Sequence, residues 1–242
     1  MIWALLACAP ALQPAPEQTR LRVLTWNLHY DSHQAPGVED TLRALDADLV
    51  LLQETNADWQ ARLSGLYPHE LWTPGPNRGG GVAVLSRLPV ELLAEHRVVD
   101  AVFPAQRLAV GTGFGEIQVL NLHLQAPFAE RGGLPVGFFT TKATRKKEVA
   151  QLLELGVPDL ACGDLNANER EPSLQQFEDH GMVSALPEFA PQQRTWHGPG
   201  ELPMVWRIDH CMVGPSLQAT EADVLKVGPS DHWPLVVGLA PS

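Results

Sequence analysis

The chain is poor in cysteine and in basic residues, and its one N-terminal apolar run is short. Three cysteines among 242 residues, Cys8, Cys162 and Cys211, do not make a disulfide framework. Cys162 and Cys211 lie in apolar, strand-like stretches, where buried thiols are the simpler reading; a bridge between them requires neighbouring strands. Lys plus Arg number 17 against 28 Asp plus Glu, a formal net charge of −11. That balance lacks the basic footprint of a protein that binds nucleic acid without sequence preference. A local basic patch or bound divalent cations can offset the total, and the compact basic cluster in sequence is Arg145–Lys147. Beyond residue 19 there is no linker, repeat or low-complexity stretch, so residues 20–242 read as one domain.

MIWALLACAP is too short to span a bilayer, and it lacks the basic residues of a secretory leader. Yet Leu5-Leu6-Ala7-Cys8 resembles a bacterial lipobox, in which the cysteine is lipidated after cleavage, and the Pro- and Ala-rich APALQPAPEQT would make an extended tether. Two readings stand. Residues 1–19 are the leader or tether of an exported envelope lipoprotein anchored at Cys8, or they are the mildly apolar N-terminus of a cytoplasmic protein.

Arg20–Leu28 predicts a strand, and Val38, Leu42 and Leu45 give Gly37–Leu45 helical spacing. Asp48–Leu52 predicts a short buried strand that delivers Gln53 and Glu54 to its end. A short helix is expected over Ala57–Leu66, a strand over Val82–Ser86, and a hairpin from Arg107–Thr112 and Glu116–Leu124. Thr140–Leu155 carries the longest helical pattern, stopped by Gly156. Asp159–Cys162 is a buried strand leading into Gly163-Asp164, and Pro172–Asp179 is a helix with proline in its first turn. Val205–Val213, Thr220–Val227 and Trp233–Leu239 are three further strands. Half of the strands are too apolar to face water on either side. Packed sheets with helices on their outer faces satisfy that pattern.

Six short polar signatures stand at the ends of these runs. They are Asn27 in TWNLHY, Glu54 in LLQET, His123 in LNLHL, Asp164 and Asn166 in GDLNA, Asp209 in RIDH, and Asp231–His232 in SDHWPL. Ligand sites in open α/β sheets collect beyond the carboxyl ends of strands, so the set points to one metal-dependent hydrolytic site. Glu54 needs a partner at the end of a buried strand, either a hard cation such as Mg²⁺ or a nearby arginine. Asn27 offers a carbonyl to a metal and an NH₂ to a phosphoryl oxygen, or it ends its strand in an Asx turn. Asp164 and Asn166 fall on one side if the chain stays extended; otherwise GDLNA is a turn. Histidine's reference pKa lies close to neutrality, which suits His232 to a general base, and Asp209 would orient it; by itself, Asp231–His232 reads more simply as a helix or strand cap. His210 should point to the opposite face, into the core. His123 is a phosphate-binding or acid group, or a satisfied core histidine.

As an ordered set, WN, QE, NLHL, GDLN, RIDH and SDHWPL resemble the endonuclease/exonuclease/phosphatase superfamily over roughly residues 20–240. The resemblance implies an α/β (α+β) four-layer sandwich, two mainly antiparallel sheets face to face with helices outside. It also implies phosphodiester or phosphomonoester hydrolysis by in-line attack of water, with Mg²⁺, or Mn²⁺, as cofactor. Carried over by motif, Glu54 is the principal metal ligand with Asn27 beside it and Asp231 as a further carboxylate. Asp164 and Asn166 position or activate the water and phosphate, and His232, oriented by Asp209, is the base or a phosphate contact. His123 matches the branch with histidine there, which favours a deoxyribonuclease-like or sphingomyelinase-like reading. Arg107 and Arg145 are candidate phosphate contacts or solvated surface residues. The stretch Gln125–Thr141 shapes a substrate mouth or touches lipid through Phe128, Phe138 and Phe139, or it folds into its own small core. The expected partner is a phosphate-ester substrate, a nucleic acid or a phospholipid head group at a membrane surface, and the expected state is a monomer. A reading from another class, a binding module that kept the fold and lost the chemistry, requires missing ligands, and here the positions are filled.

Overall fold

A computed structural model of the chain describes residues 19–97, 103–127, 137, 140–198 and 205–242. Its strands are β1 (Leu21–Asn27), β2 (Leu49–Thr55), β3 (His69–Thr73), β4 (Gly81–Ser86), β5 (Val90–His96), β6 (Ala105–Thr112), β7 (Gly115–His123), β8 (Leu160–Asp164), β9 (Val183–Ser184), β10 (Trp196–His197), β11 (Val205–Trp206), β12 (Asp209–Val213), β13 (Leu217–Val224) and β14 (Leu235–Pro241). They form two six-stranded sheets, ordered β13-β14-β1-β2-β4-β3 and β5-β6-β7-β8-β12-β9, with β10 and β11 as a small ribbon. Each large sheet is antiparallel except for one central parallel pair, β1–β2 in the first and β7–β8 in the second.

The inner faces of the sheets meet in a core that includes Val23, Leu49, Leu51, Leu108, Val119, Leu160 and Val237. The outer face of the first sheet packs against the helices Val38–Leu45 and Ala57–Leu63 through Trp26, Leu42, Trp59 and Leu63. The outer face of the second packs against Lys142–Glu154 and Pro172–Asp179 through Leu120, Val149, Leu152 and Phe177. Strands buried on both faces explain the continuous apolar runs, and the layering is the four-layer α/β sandwich expected from the sequence. A polar seam crosses the inter-sheet core. Gln53 Nε2 donates to Asn121 Oδ1, Asn121 Nδ2 donates to Gln106 Oε1, and Gln106 Nε2 donates to Thr73 Oγ1. Because a buried polar group without a partner is costly, this seam fixes the register of one sheet against the other.

Sequence periodicity missed the edge strands β3 and β5, and also the two-residue strands β9 and β10 and the short helix Leu186–Phe189. In VELLAEH the outward positions are Glu91, Leu93 and Glu95, and exposed Leu93 (46% exposed) breaks the alternation that would mark a half-buried strand. The expected strand Val205–Val213 is split into β11 and β12. Cys8, Phe128, Phe138 and Phe139 lie outside the described residues.

The reading of Cys162 and Cys211 as free thiols is corrected. Strands β8 and β12 pair antiparallel with Cys162 directly opposite Cys211, and the two are bridged with their Cα atoms 4.2 Å apart. The bridge spans a separation of 49 residues, a loop for which the chain-entropy account gives roughly 4 kcal/mol of stabilisation. Denatured without reductant, the protein should therefore show neither Cys162 nor Cys211 reactive to a thiol reagent, and reduction should lower the melting temperature by several degrees. Two reactive thiols from these positions in the oxidised protein would contradict the bridge.

Candidate active site

The two parallel pairs place their carboxyl ends together. In the first sheet Asn27 ends β1 beside Gln53 of β2, and Glu54 follows. In the second, His123 ends β7 opposite Asp164 of β8, and Asp164 is in turn opposite Asp209 of β12. A cavity of about 530 Å³ opens there, lined among others by Glu54, His123, Asp164, Asn166, Asp231 and His232. Six of the residues expected from sequence thus line one cavity.

Local backbone geometry aims these groups. Glu54 adopts φ 55° at a bulge between Gln53 and Thr55, which turns its side chain out of the strand. Gly163 has φ 153°, and a Cβ there would stand 1.8 Å from the Leu122 carbonyl oxygen, so only glycine lets β8 lie this close to β7. Asn166 does not continue an extended chain as expected. It takes φ 48°, and its N–H donates to Asp164 Oδ1 at 2.9 Å. GDLNA is an Asx turn that nonetheless brings both side chains to the cavity, with Asn166 Nδ2 anchored on the Leu124 carbonyl.

Asn27 and Asp209 act from behind the cavity wall. Asn27 Nδ2 donates to Glu54 Oε1 and to Asp164 Oδ2, both at 3.0 Å, while its Oδ1 accepts from the His29 N–H. Ionised carboxylates only accept, so the NH₂ must face them. The expectation of Asn27 as a metal ligand is therefore corrected: it is a clamp that ties the two sheets' carboxylates together. Asp209 accepts from His232 Nδ1 at 2.9 and 3.0 Å, and His232 Nε2 lies 3.7 Å from Asp164 Oδ2. The loop carrying His232 is fastened to β1. Trp26 Nε1 donates to the His232 carbonyl, and Ser230 Oγ donates to the Asn27 carbonyl.

These contacts set the charges. Burial opposes charge on His232, but Asp209, Asp164 and Asp231 outweigh it and push the imidazole up to about 10. Asp164 is raised to about 7 by burial and by the like charge of Asp209, against the pull of His232 and Asn27. His123 is lowered to about 3 by burial and by the neighbouring His232. It stays neutral, with Nε2 3.5 Å from Asp164 Oδ2 and its ring stacked on Phe103 at 3.9 Å between centroids. Phe103 had no signal in the sequence, because a lone phenylalanine between strands carries no pattern.

Two groups offer themselves to a metal. The ligand atoms of Asp164, Asp209 and His232 lie within 4.8 Å of one another. That geometry suits an ion, but both Asp209 oxygens are within hydrogen-bonding reach of His232 Nδ1, and an imidazolium cannot ligate. The donor chemistry instead favours Glu54 and Asp231. Both line the cavity, and Asp231 Oδ1 is buried without a hydrogen-bond partner among the described residues. Oxygen donors of this kind fit a hard divalent cation.

The two arginines expected as phosphate contacts are corrected to structural roles. Arg107 extends to the far end of the helix Lys142–Glu154, donating to the Leu152 and Gly156 carbonyls. Arg145 is fully buried and paired with Glu171, and it also donates to the Gln125 carbonyl. Neither lines the cavity.

A sheet sandwich with carboxylates, amides and imidazoles gathered at its rim defines a phosphoesterase-type architecture, and comparison places the chain accordingly. Residues 24–232 match the Endonuclease/Exonuclease/phosphatase family, and the chain belongs to it. It is similar to the inositol phosphosphingolipids phospholipase C of Saccharomyces cerevisiae, 23% identical over 256 residues, covering 82% of this chain and 53% of that protein. The chain thus spans about half the length of that relative. Among solved structures it is similar to humanized D. rerio TDP2, at 16% identity and TM-score 0.71, covering 92% of this chain and 99% of the other. The human Nocturnin catalytic domain with bound sulfate matches at 20% identity and TM-score 0.68, covering 94% and 97%. The endonuclease/exonuclease/phosphatase from Beutenbergia cavernae DSM 12333 matches at 24% and 0.66, covering 93% and 72%. At these identities the structures establish the shared fold.

His210 backs the site from the core, as its strand position predicted. Its Nε2 donates to the Ala167 carbonyl at 2.9 Å and its Nδ1 faces Ser184 Oγ at 3.2 Å. Burial lowers it from 6.5 to about 4. A folded value below the unfolded one means that the neutral imidazole contributes stability in full above pH 6.5, and that this contribution fades as the pH falls toward 4. The shift corresponds to about 3 kcal/mol. Gln in place of His210 cannot titrate, so the stability gap between wild type and His210→Gln should be widest near pH 7 and narrow toward pH 4 in denaturant titrations. A gap independent of pH would contradict the buried neutral imidazole.

Proposed function

We propose that the chain is a Mg²⁺-dependent phosphoric ester hydrolase that cleaves a phosphodiester or phosphomonoester by in-line attack of water, with Mn²⁺ as an alternative ion. The observation that supports it most directly is the cavity itself. Glu54 and Asp231, which among the described residues has one oxygen without a partner, line it together with Asp164 and His232, and Asp209 holds His232 from behind. Bound between Glu54 and Asp231, the cation would neutralise charge on the phosphoryl group and leaving oxygen. His232, kept protonated by Asp209, directs Nε2–H toward a phosphoryl oxygen. Asp164, raised to about 7, is matched to taking a proton from the attacking water near neutral pH. Asn166 fixes the Asp164 carboxylate through its backbone N–H, and positioning of this kind supplies much of the rate in phosphoryl transfer.

A second reading is a lipid phosphodiesterase acting at a membrane surface. It draws on the yeast relative's phospholipase C name and on half of that protein's length. Residues 1–19 are proposed to be an export leader with Cys8 lipidated, and the Cys162–Cys211 bridge suits the oxidising compartment this implies. Mass spectrometry of the mature N-terminus decides that point, since an intact Met1 with unmodified Cys8 would rule it out. The chain is further proposed to act as a monomer, to be checked by light scattering.

The test is a substrate panel of plasmid DNA, RNA, sphingomyelin, inositol phosphates and bis-p-nitrophenyl phosphate, with Mg²⁺ or EDTA. Turnover of at least one member should be lost in EDTA and restored by Mg²⁺. Glu54→Ala and His232→Ala should each lose about a hundredfold to a thousandfold in kcat, on the scale of removing one transition-state contact, while retaining a cooperative melt. Activity indifferent to EDTA would refute the metal role. Folded variants with wild-type turnover would place the chemistry elsewhere, and a wild type that turns over no member of the panel would favour a binding module.

A further inference from the structure

A second cavity, of about 420 Å³, adjoins the first. Trp206 and Ile208 line both, so the two lie side by side along a shared wall, where Trp206 stacks on Trp196 with 5.2 Å between ring centroids. The second cavity has an opposite charge character. Arg170, Arg194 and Arg207 line it against a single acid, Glu169. In a chain of net charge −11, three arginines against one glutamate leave a local positive excess beside the first cavity that the overall composition conceals.

The three arginines are not equivalent. Arg207 is buried and committed: it pairs with Glu169, and it donates to the Gln193, Ala190 and Pro191 carbonyls. That pairing neutralises Glu169 and holds the segments 168–170 and 190–194 together. Arg194 is half-buried and gives NH1 to the Gln193 carbonyl. Arg170 is exposed, and among the described residues its side chain has no partner. Several N–H donors of Arg170 and Arg194 are therefore uncommitted at the cavity. A guanidinium fork is the protein group best matched to a phosphate's paired oxygens.

We infer that this cavity is a subsite for a second phosphate of the substrate, remote from the scissile one, gripped by Arg170 and Arg194 while the body of the molecule crosses Trp206. The inference rests on the hydrolase reading for which phosphate is scissile, and it narrows the substrate class to molecules with at least two phosphate groups. Two sources share that chemistry. A nucleotide would lay its base against the Trp206 wall, whereas a polyol phosphate would present only its ring hydroxyls.

The test is calorimetric binding to the intact chain, as wild type and as Arg170→Ala/Arg194→Ala, with Mg²⁺ present. The probes are adenosine 3′,5′-bisphosphate against adenosine 5′-monophosphate, and inositol 1,4-bisphosphate against inositol 1-phosphate. In wild type at least one bisphosphate should bind about tenfold or more tightly than its monophosphate. In the double variant that advantage should fall to about twofold or less, with monophosphate affinity and melting temperature unchanged. The pair that shows the larger advantage identifies the nucleotide or the polyol source. The inference is overturned by an absent preference in wild type, by a preference that survives in the variant, or by equal losses for mono- and bisphosphate. Failure of the hydrolase reading is seen separately: no member of the substrate panel would turn over, while the bisphosphate preference would persist.

Discussion

Asp164 and Asp209 stand opposite each other on paired strands, both buried. Two carboxylates so placed repel, and burial removes the water that would screen them. The arrangement is tolerable because His232 lies between them with a proton, and because Asn27 and the Asn166 N–H bond Asp164. Much of the surrounding structure serves this requirement. Trp26 and Ser230 hold the His232 loop, His210 holds the loop that follows Asp164, and the Gln53–Asn121–Gln106 seam keeps the two sheets from sliding.

The carboxylate of the first sheet is treated differently. Glu54 is only half-buried and receives donors from Asn27 and the Tyr30 N–H. Among the described residues, Asp231 keeps one oxygen without a partner. The site is therefore divided by chemistry: Asp164 and Asp209 of the second sheet share the proton of His232, whose loop leads into β14 of the first sheet, whereas Glu54 and Asp231 bring carboxylate oxygens to the same cavity. Asn27 belongs to both halves, since one NH₂ touches Glu54 and Asp164 together.

The strands that carry the site were legible in the sequence because they are buried on both faces and read as apolar runs ending in a single polar group. Glu54, His123 and Asp164 could be named for that reason, whereas His232 was named from an acid and an imidazole side by side just before a strand. Asn27 was named but given the wrong role, because a linear pattern shows which polar atoms are near a site and not which of them are already bonded. Arg107 and Arg145 misled for a related reason: buried arginines that cap helix carbonyls or pair with Glu171 look, in sequence, like any other cation. The Arg170–Arg194–Arg207 group was invisible because three distant segments assemble it. The edge strands were missed where Leu93 interrupts the alternation, and the Cys162–Cys211 bridge needed the register of β8 against β12.

At Gly163 the chain has no room for even one methyl group before it strikes the Leu122 carbonyl. The separation between His123 and Asp164 is consequently set by main chain meeting main chain, with nothing adjustable between. Changes of side chain at the cavity mouth can retune what the protein accepts, but they cannot widen the gap between these two groups. Diversification of this scaffold must come from its loops, while the spacing of its reactive centre is inherited as a fixed dimension of the backbone.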